Sequence, residues 1–205
     1  MSANTVIHYH ANIHKALKDA VRLDLVERNV SALVERPKKV DYVPNHYSAA
    51  EANELLEKLR GHWLWLPVML SLYYGLRRSE VLGLQWRSVD FTNDTILIQH
   101  ARVHQEINGR ETTVGRDILK RKSSYRTLPM PEAIKAVLSV EKKRQNESKM
   151  LKPEDYVCLN PTGKPISPNH YSQSFKKFLR ENGLREVRLH DMRHTCAAAL
   201  IQNRT

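Results

Sequence analysis

Apolar residues recur at helical spacing from about residue 5 to residue 25, with basic residues between them. This spacing predicts one amphipathic helix near the start of the chain. Residues 35–39 are charged and contain a proline, which is typical of a solvated linker. We therefore assign residues 1–40 to a helix and linker, and residues 41–205 to a separate domain.

The second domain is predicted to begin with a helix at Ser48. Glu51 follows three residues later, which is the spacing of a capping box. The run from Trp63 to Tyr74 is almost entirely apolar and is followed by Gly75, so it predicts a buried helix that ends at the glycine. A further short helix is expected from Ser79 to Trp86.

The pattern becomes β-like between Asp94 and Pro129. Short apolar runs flank an Asn108-Gly109 pair, the strongest local signal for a hairpin, so one small antiparallel sheet is expected. Helices return at about residues 131–148, at residues 167–182 and from His190 onward. The fold class is therefore α+β, mostly helical with a small antiparallel β-sheet.

The chain is strongly basic, with 33 Lys and Arg against 22 Asp and Glu and a formal net charge of +11. Such a charge attracts polyanions, so nucleic acid is the first partner to consider. Cys158 and Cys196 are too far apart in sequence to suggest a cysteine metal site. No signal peptide and no membrane-spanning run is evident, so we expect a cytoplasmic protein without a membrane partner.

Two short segments carry candidate chemistry. Residues 189–195 read L-H-D-M-R-H-T, and in a helix His190 and Arg193 would share one face. Residues 75–80 read G-L-R-R-S-E, and they place Arg77 just after a buried helix. A guanidinium is a planar two-pronged donor that suits the oxygens of a phosphate. Each segment alone is weak evidence for a phosphate-binding active site, but the two segments together, in this order, are much stronger evidence.

These two segments, with the basic loop at residues 119–129, resemble the tyrosine recombinases, also called phage integrases. The resemblance covers roughly residues 48–205, and the helix and linker of residues 1–40 resemble the end of that family's core-binding domain. The basic loop stands where the family carries its catalytic lysine on a β-hairpin. The K-x-x-x-S pattern favours Lys120 for that role, with Lys122 as the alternative.

The resemblance implies attack by a tyrosine on a scissile phosphodiester and a 3′-phosphotyrosyl intermediate. Arg77 and Arg193 would bind the non-bridging oxygens, where negative charge accumulates. His190 would hydrogen-bond the phosphate or move the proton of the tyrosine, and Lys120 would protonate the departing 5′ hydroxyl. Neither a metal ion nor another cofactor is expected.

Other basic residues near the boxes are expected to contact the backbone of double-stranded DNA, which fixes register without reading sequence. These are Arg78, Arg121, Lys122 and Arg126. Glu80, the acid after the first arginine box, is expected to hold local structure and orient an arginine rather than react.

The family continues past the His-x-x-Arg box to another His or Trp box and then to the nucleophilic tyrosine. No tyrosine follows Arg193 in this chain. The chain is therefore expected to be a C-terminally incomplete catalytic domain that binds DNA without cleaving it. The full-length parent is expected to be a DNA integration and excision enzyme that works as a tetramer on DNA, whereas this fragment should be a monomer.

Two other interpretations remain open. The chain could be a natural DNA-binding product without catalytic activity. Alternatively, residues 190–194, H-D-M-R-H, resemble the H-E-x-x-H helix of zinc hydrolases, although Asp191 stands in place of the glutamate. His8, His10 and His14 also cluster but lack a third ligand on one face, so a solvated or DNA-facing surface is expected there.

Overall fold

A computed structural model describes residues 1–41, 45–107, 110–117 and 125–192. The chain divides into two compact units, Met1–Val43 and Pro44–Thr205. This boundary lies close to the one expected from the sequence, and the assignment of the first unit to a core-binding domain stays a prediction. In the described part of the chain, no helix is both long enough and apolar enough to span a membrane.

The first unit consists of one long helix and a short 3₁₀ helix. Helix α1 spans Ala3–Arg22 and begins at Ser2, whose hydroxyl accepts a hydrogen bond from the backbone N–H of Thr5 at 3.2 Å. The 3₁₀ helix spans Val30–Leu33 and is capped in the same way by the side chain of Asn29. The helix predicted over residues 5–25 is therefore present, shifted by two to three residues.

Two of the three clustered histidines pack within this unit. His10 Nε2 lies 2.8 Å from the carbonyl oxygen of Ser31, and His14 Nδ1 lies 3.1 Å from the Ser31 hydroxyl. The two imidazole rings stack with their centroids 5.8 Å apart. The 3₁₀ helix therefore folds back onto α1 and leaves both histidines half-buried, while the expectation of a solvated or DNA-facing surface stays a prediction.

The second unit starts with the two helices that the sequence predicted. Helix α2 spans Ala49–Lys58, and Ser48 and Glu51 form both hydrogen bonds of the capping box. Helix α3 spans Trp65–Tyr74 and ends at Gly75, which adopts a left-handed conformation with φ of 60°. Both helix boundaries confirm the sequence signals that marked them.

Helix α4 spans only Arg78–Gly83, and a separate 3₁₀ helix follows at Trp86–Ser88. The single helix expected from Ser79 to Trp86 is therefore wrong in its C-terminal part. The reason is a long-range pairing: the backbone N–H of Val157 donates to the carbonyl of Leu84 at 2.9 Å, which holds Leu84 in an extended conformation. Tertiary pairing overrides the local helical pattern here.

Among the described residues the β-strands form two sheets rather than the one that was expected. The first contains β1 (Val89–Asp90), β2 (Thr95–Ile98) and β5 (Arg126–Pro129), in the antiparallel order β1-β2-β5. The second is a hairpin of β3 (His100–Ile107) and β4 (Arg110–Asp117). Strand β3 cannot join the first sheet beside β2, because β1 and β5 already occupy both edges of β2. The Asn108-Gly109 pair lies outside the described residues.

Two more helices complete the described part of the unit. Helix α5 spans Glu132–Ser148, and α6 spans Pro168–Glu181. As predicted, Ser167 caps α6 by accepting from the N–H of His170, and Gly183 follows with φ of 65°. Further on, residues 189–191 form a turn and Met192 is helical, while the rest of the predicted last helix lies outside the described residues.

A single apolar core holds these elements together and fixes the start of α4. Its members come from every described helix of the second unit and from the three-stranded sheet, and their burial removes apolar surface from water. The largest fully buried side chains in it include Tyr47, Leu55, Leu59, Leu64, Leu70, Leu76, Leu82, Ile96, Ile98, Leu138, Tyr171 and Phe175.

Candidate active site and nucleic-acid interface

Arg77 lies between the end of α3 and the start of α4. Leu76 before it is buried, and Gly75 reverses the chain. The backbone N–H of Arg77 donates to Glu80 Oε2 at 2.9 Å, which is one half of a capping arrangement at the start of α4. The backbone is therefore fixed, while 57% of the Arg77 side chain stays exposed. A guanidinium held in this way is accessible to a ligand from solvent.

Glu80 is a buried carboxylate, only 3% exposed, that holds two arginines. Arg77 Nη1 donates to its Oε1 at 2.8 Å, and Arg126 Nη2 donates to its Oε2 at 2.7 Å. Burial, the largest influence, would by itself raise the pKa of Glu80; the hydrogen bonds from Arg126 and Arg77 outweigh it and lower the pKa. The expectation that Glu80 orients an arginine is confirmed.

Sequence reasoning missed the partner of Arg126. This residue was expected to contact a DNA phosphate, and that contact stays a prediction. In the structure both of its terminal nitrogens face Glu80, because Arg126 Nη1 also lies 3.4 Å from Glu80 Oε1. The available signal was the acid at position 80, but nothing in the sequence places β5 beside α4.

Arg78 diverges from its neighbour Arg77 and points toward α6. Its Nη1 donates to the hydroxyl of Ser172 at 2.7 Å and lies 3.4 Å from the carbonyl of Pro168. This contact ties the start of α4 to the first turn of α6. The expected DNA contact of Arg78 is untested, and the structure adds a role in joining two helices.

Arg78 and His190 line the same open cleft, which has a volume of about 580 Å³. Lys176 and Arg188 also line it, and Glu186 is the acid among its lining residues. Basic side chains that converge on a concave surface raise the local concentration of anions. The cleft therefore brings together two residues that the sequence assigned to DNA binding and catalysis.

A buried aspartate fixes the turn that carries His190. Asp191 is 1% exposed, and its Oδ2 accepts from both the backbone N–H and the Nε of Arg188, each at 3.2 Å. In return the Asp191 N–H donates to the Arg188 carbonyl at 2.8 Å. These bonds hold the turn closed and leave the intervening His190 exposed.

The segment before that turn is attached to the start of the second unit. Arg185 donates to both carboxylate oxygens of Glu51, at 2.8 and 3.0 Å, and its guanidinium lies 5.0 Å from the ring centre of Tyr47. The hydrogen bond from Arg185, followed by that from the Ser48 backbone, lowers the pKa of Glu51 to about 2. The sequence identified Glu51 as a cap but gave no sign of this second role.

Several residues proposed from the sequence lie outside the described part of the chain. These are Lys120, Arg121, Lys122 and Arg193, and their roles stay predictions. His194, needed for the zinc interpretation, lies outside it as well. Within the described ranges, no three His, Cys, Asp or Glu side chains are placed to hold a metal ion. Asp191, the counterpart of the hydrolase glutamate, is buried against Arg188.

Curated relatives match most of this chain. A XerC-like tyrosine recombinase of Caldanaerobacter subterraneus subsp. tengcongensis is 28% identical over 176 residues, which cover 80% of this chain and 45% of the relative. The ICEBs1 integrase of Bacillus subtilis is 23% identical, over 98% of this chain and 55% of its own length. The chain thus spans about half the length of these relatives.

Solved structures share the fold. The Tn1549 transposon integrase in complex with transposon right end DNA superposes with a TM-score of 0.80 at 19% identity, over 100% of this chain and 69% of that one. A lambda integrase bound to a core site superposes with a TM-score of 0.59 at 17% identity, over 92% of this chain and 63% of that one. The model of the phage integrase family matches residues 45–205. The chain therefore belongs to the phage integrase family, the tyrosine recombinases.

Proposed function

We propose that this chain is part of a site-specific recombinase that cleaves and rejoins double-stranded DNA during integration and excision of a mobile element. The observation that carries the proposal is Arg77, whose backbone is fixed at the start of α4 and whose guanidinium is held by Glu80 yet exposed. The family match over residues 45–205 and the names of the relatives support it.

The proposed reaction is transfer of a phosphodiester to a tyrosine hydroxyl. A new bond forms between the tyrosine oxygen and the phosphorus, and the bond from the phosphorus to the 5′ oxygen breaks. Negative charge accumulates on the non-bridging oxygens meanwhile, and fixed guanidinium groups stabilise it because they need no reorganisation. Arg77 supplies one such group, and Arg193 is proposed to supply the second.

Proton transfers complete this scheme. Lys120, or Lys122 in its place, is proposed to protonate the departing 5′ oxygen, and His190 to hydrogen-bond the phosphate or accept the proton of the tyrosine. The exposed position of His190, on a turn that Asp191 holds closed, supports that role. Residues 194–205 contain no tyrosine, so we propose that this chain by itself binds DNA without cleaving it.

Charge supports DNA as the substrate. The net charge is +11, and Arg78, Lys176 and Arg188 line the cleft that also contains His190. We propose that the full-length protein assembles as a tetramer on DNA, that this fragment is a monomer, and that the protein acts in the cytoplasm, where its substrate would lie.

The test is covalent trapping by the full-length protein. Nicked substrates made from the DNA that flanks the gene would be incubated with wild type, Arg77→Ala, Arg193→Ala and Arg60→Ala, and the products would be separated under denaturing conditions. Arg60 is a matched control, because it forms an exposed pair with Glu57. We expect adducts with wild type and Arg60→Ala only, and similar DNA affinity for all four proteins. Wild-type cleavage by either of the other variants would overturn the assignment.

A further inference from the structure

Arg126 is the first residue of β5 and follows directly after the basic segment of residues 118–125. It reaches across 46 residues of sequence to donate to Glu80, with Nη2 2.7 Å from Oε2 and Nη1 3.4 Å from Oε1. Its side chain is 32% exposed, much less than that of Arg77. Arg126 is thus a half-buried partner of Glu80, the same carboxylate that holds Arg77.

Together the two arginines fill the acceptor positions of Glu80. Oε1 accepts from Nη1 of both arginines, and Oε2 accepts from the Arg77 backbone N–H and from Arg126 Nη2. An ionised carboxylate has about four lone-pair sites, so each bond matches one site. Arg77 therefore contributes one side-chain donor to Glu80, and Arg126 takes the positions that a second Arg77 donor would need.

Without Arg126, the buried carboxylate of Glu80 would have Arg77 as its remaining arginine partner. A guanidinium beside a carboxylate favours the two-pronged arrangement in which both terminal nitrogens donate. Arg77 would then turn toward Glu80, and fewer of its donors would face solvent and an incoming phosphate. Arg126 prevents this by sharing the carboxylate.

We propose that Arg126 is a positioning residue of the recombinase: by saturating Glu80, it keeps Arg77 singly bonded and its remaining donors directed to the scissile phosphate. This inference rests on the proposed function and goes beyond it. It is an alternative to the expectation that Arg126 binds DNA directly. Loss of a direct DNA contact would weaken Kd, whereas loss of a positioning residue would slow cleavage.

The test compares cleavage with binding in the full-length protein. Single-turnover cleavage of a nicked substrate at saturating protein would be measured for wild type, Arg126→Ala, Arg126→Lys, Glu80→Gln and the double variant Arg126→Ala/Glu80→Gln. Kd would be measured over a range of salt concentrations. Arg144→Ala is the matched control, because Arg144 forms a similar two-pronged pair with Glu141 on α5.

We expect Arg126→Ala to slow cleavage by roughly 10- to 100-fold, the cost of a small misplacement of a catalytic group. Its Kd and salt dependence should stay close to those of wild type. Arg126→Lys should recover part of the rate, since it restores the charge but cannot occupy both oxygens. The double variant should be no slower than Glu80→Gln, because both changes act through the same carboxylate.

Two results would overturn the inference. One is a weaker Kd for Arg126→Ala with a salt slope reduced by about one, the signature of a lost phosphate contact. The other is independent, multiplying effects of Arg126→Ala and Glu80→Gln. If Arg126→Ala does not fold, a wild-type cleavage rate for Arg126→Lys would also overturn the inference. Loss of adduct with wild type itself would instead overturn the proposed function.

Discussion

Replacement of Glu80 by glutamine tests the structural basis of the site in this chain, without any DNA. Glu80 is 3% exposed and accepts four hydrogen bonds, three of them from charged groups. Glutamine keeps the size of the side chain but loses the charge and turns an N–H₂ group toward a guanidinium. We predict a less stable second unit, because two cations lose their common counter-charge.

The expected loss follows from the exposure of the partners. Removing one member of a buried ion pair costs about 3–5 kcal/mol when the remaining charge has no access to water. Here Arg77 is 57% exposed and Arg126 is 32% exposed, so water can replace part of the interaction. We therefore expect a loss of about 2–3 kcal/mol, or roughly 5–10 °C in Tm for a unit of this size.

Urea and thermal unfolding of the purified chain would measure this loss, with Glu57→Gln as the control. Glu57 has the same three-residue spacing from an arginine, but both side chains of that pair are mostly exposed, so about 0.5 kcal/mol is expected. If the two variants unfold alike, Glu80 is not the anchor of Arg77. The pKa of Glu80 is lowered from its ordinary 4.5, so its contribution is complete above that pH and declines as the pH falls below it.

Three further predictions concern the described residues. Glu51→Gln should lower the free energy of unfolding by about 1 kcal/mol at pH 7, since the pair with Arg185 is partly screened by solvent. Because the pKa of Glu51 is lowered to about 2, this difference from wild type, measured by urea unfolding, should shrink as the pH falls from 4.5 toward 2. Gly83→Ala should destabilise the second unit by about 2–3 kcal/mol, since the added Cβ would lie 2.5 Å from Ala101 Cα. In the control Gly61→Ala the added Cβ meets no atom within 4 Å, and the positive φ should cost about 1 kcal/mol. Equal Tm values for the two variants would contradict the close packing of α4 on β3. Burial raises the pKa of the Cys158 thiol, so in a Cys196→Ser background an alkylating reagent should label the chain only when it unfolds; rapid labelling under native conditions would show that Cys158 is not enclosed.

Local signals predicted most of the helices. The Ser48 capping box, the glycine stop at Gly75 and the serine cap of α6 are short-range patterns whose physics acts within one turn, and the structure has all of them. The predictions that failed depend on contacts distant in sequence. Helix α4 ends early because Leu84 pairs with Val157, and the β-strands form two sheets because β1 and β5 occupy both edges of β2.

The candidate site shows the same division. Arg77 and its acid Glu80 are three residues apart, and the sequence was sufficient to link them. Arg126 and Arg185 each bond a carboxylate that is distant in the sequence, so no spacing rule could identify their partners. The sequence does not reveal the tertiary arrangement that pairs Arg126 with Glu80 and Arg185 with Glu51.

We propose that Arg77 neutralises charge on a non-bridging oxygen of the scissile phosphate. The most direct measurement is cleavage by full-length wild type and Arg77→Ala on two substrates, one with the normal phosphate and one with an uncharged methylphosphonate at the scissile position. If the claim holds, Arg77→Ala loses cleavage on the phosphate and regains much of it, relative to wild type, on the methylphosphonate. An equal loss on both substrates would contradict it.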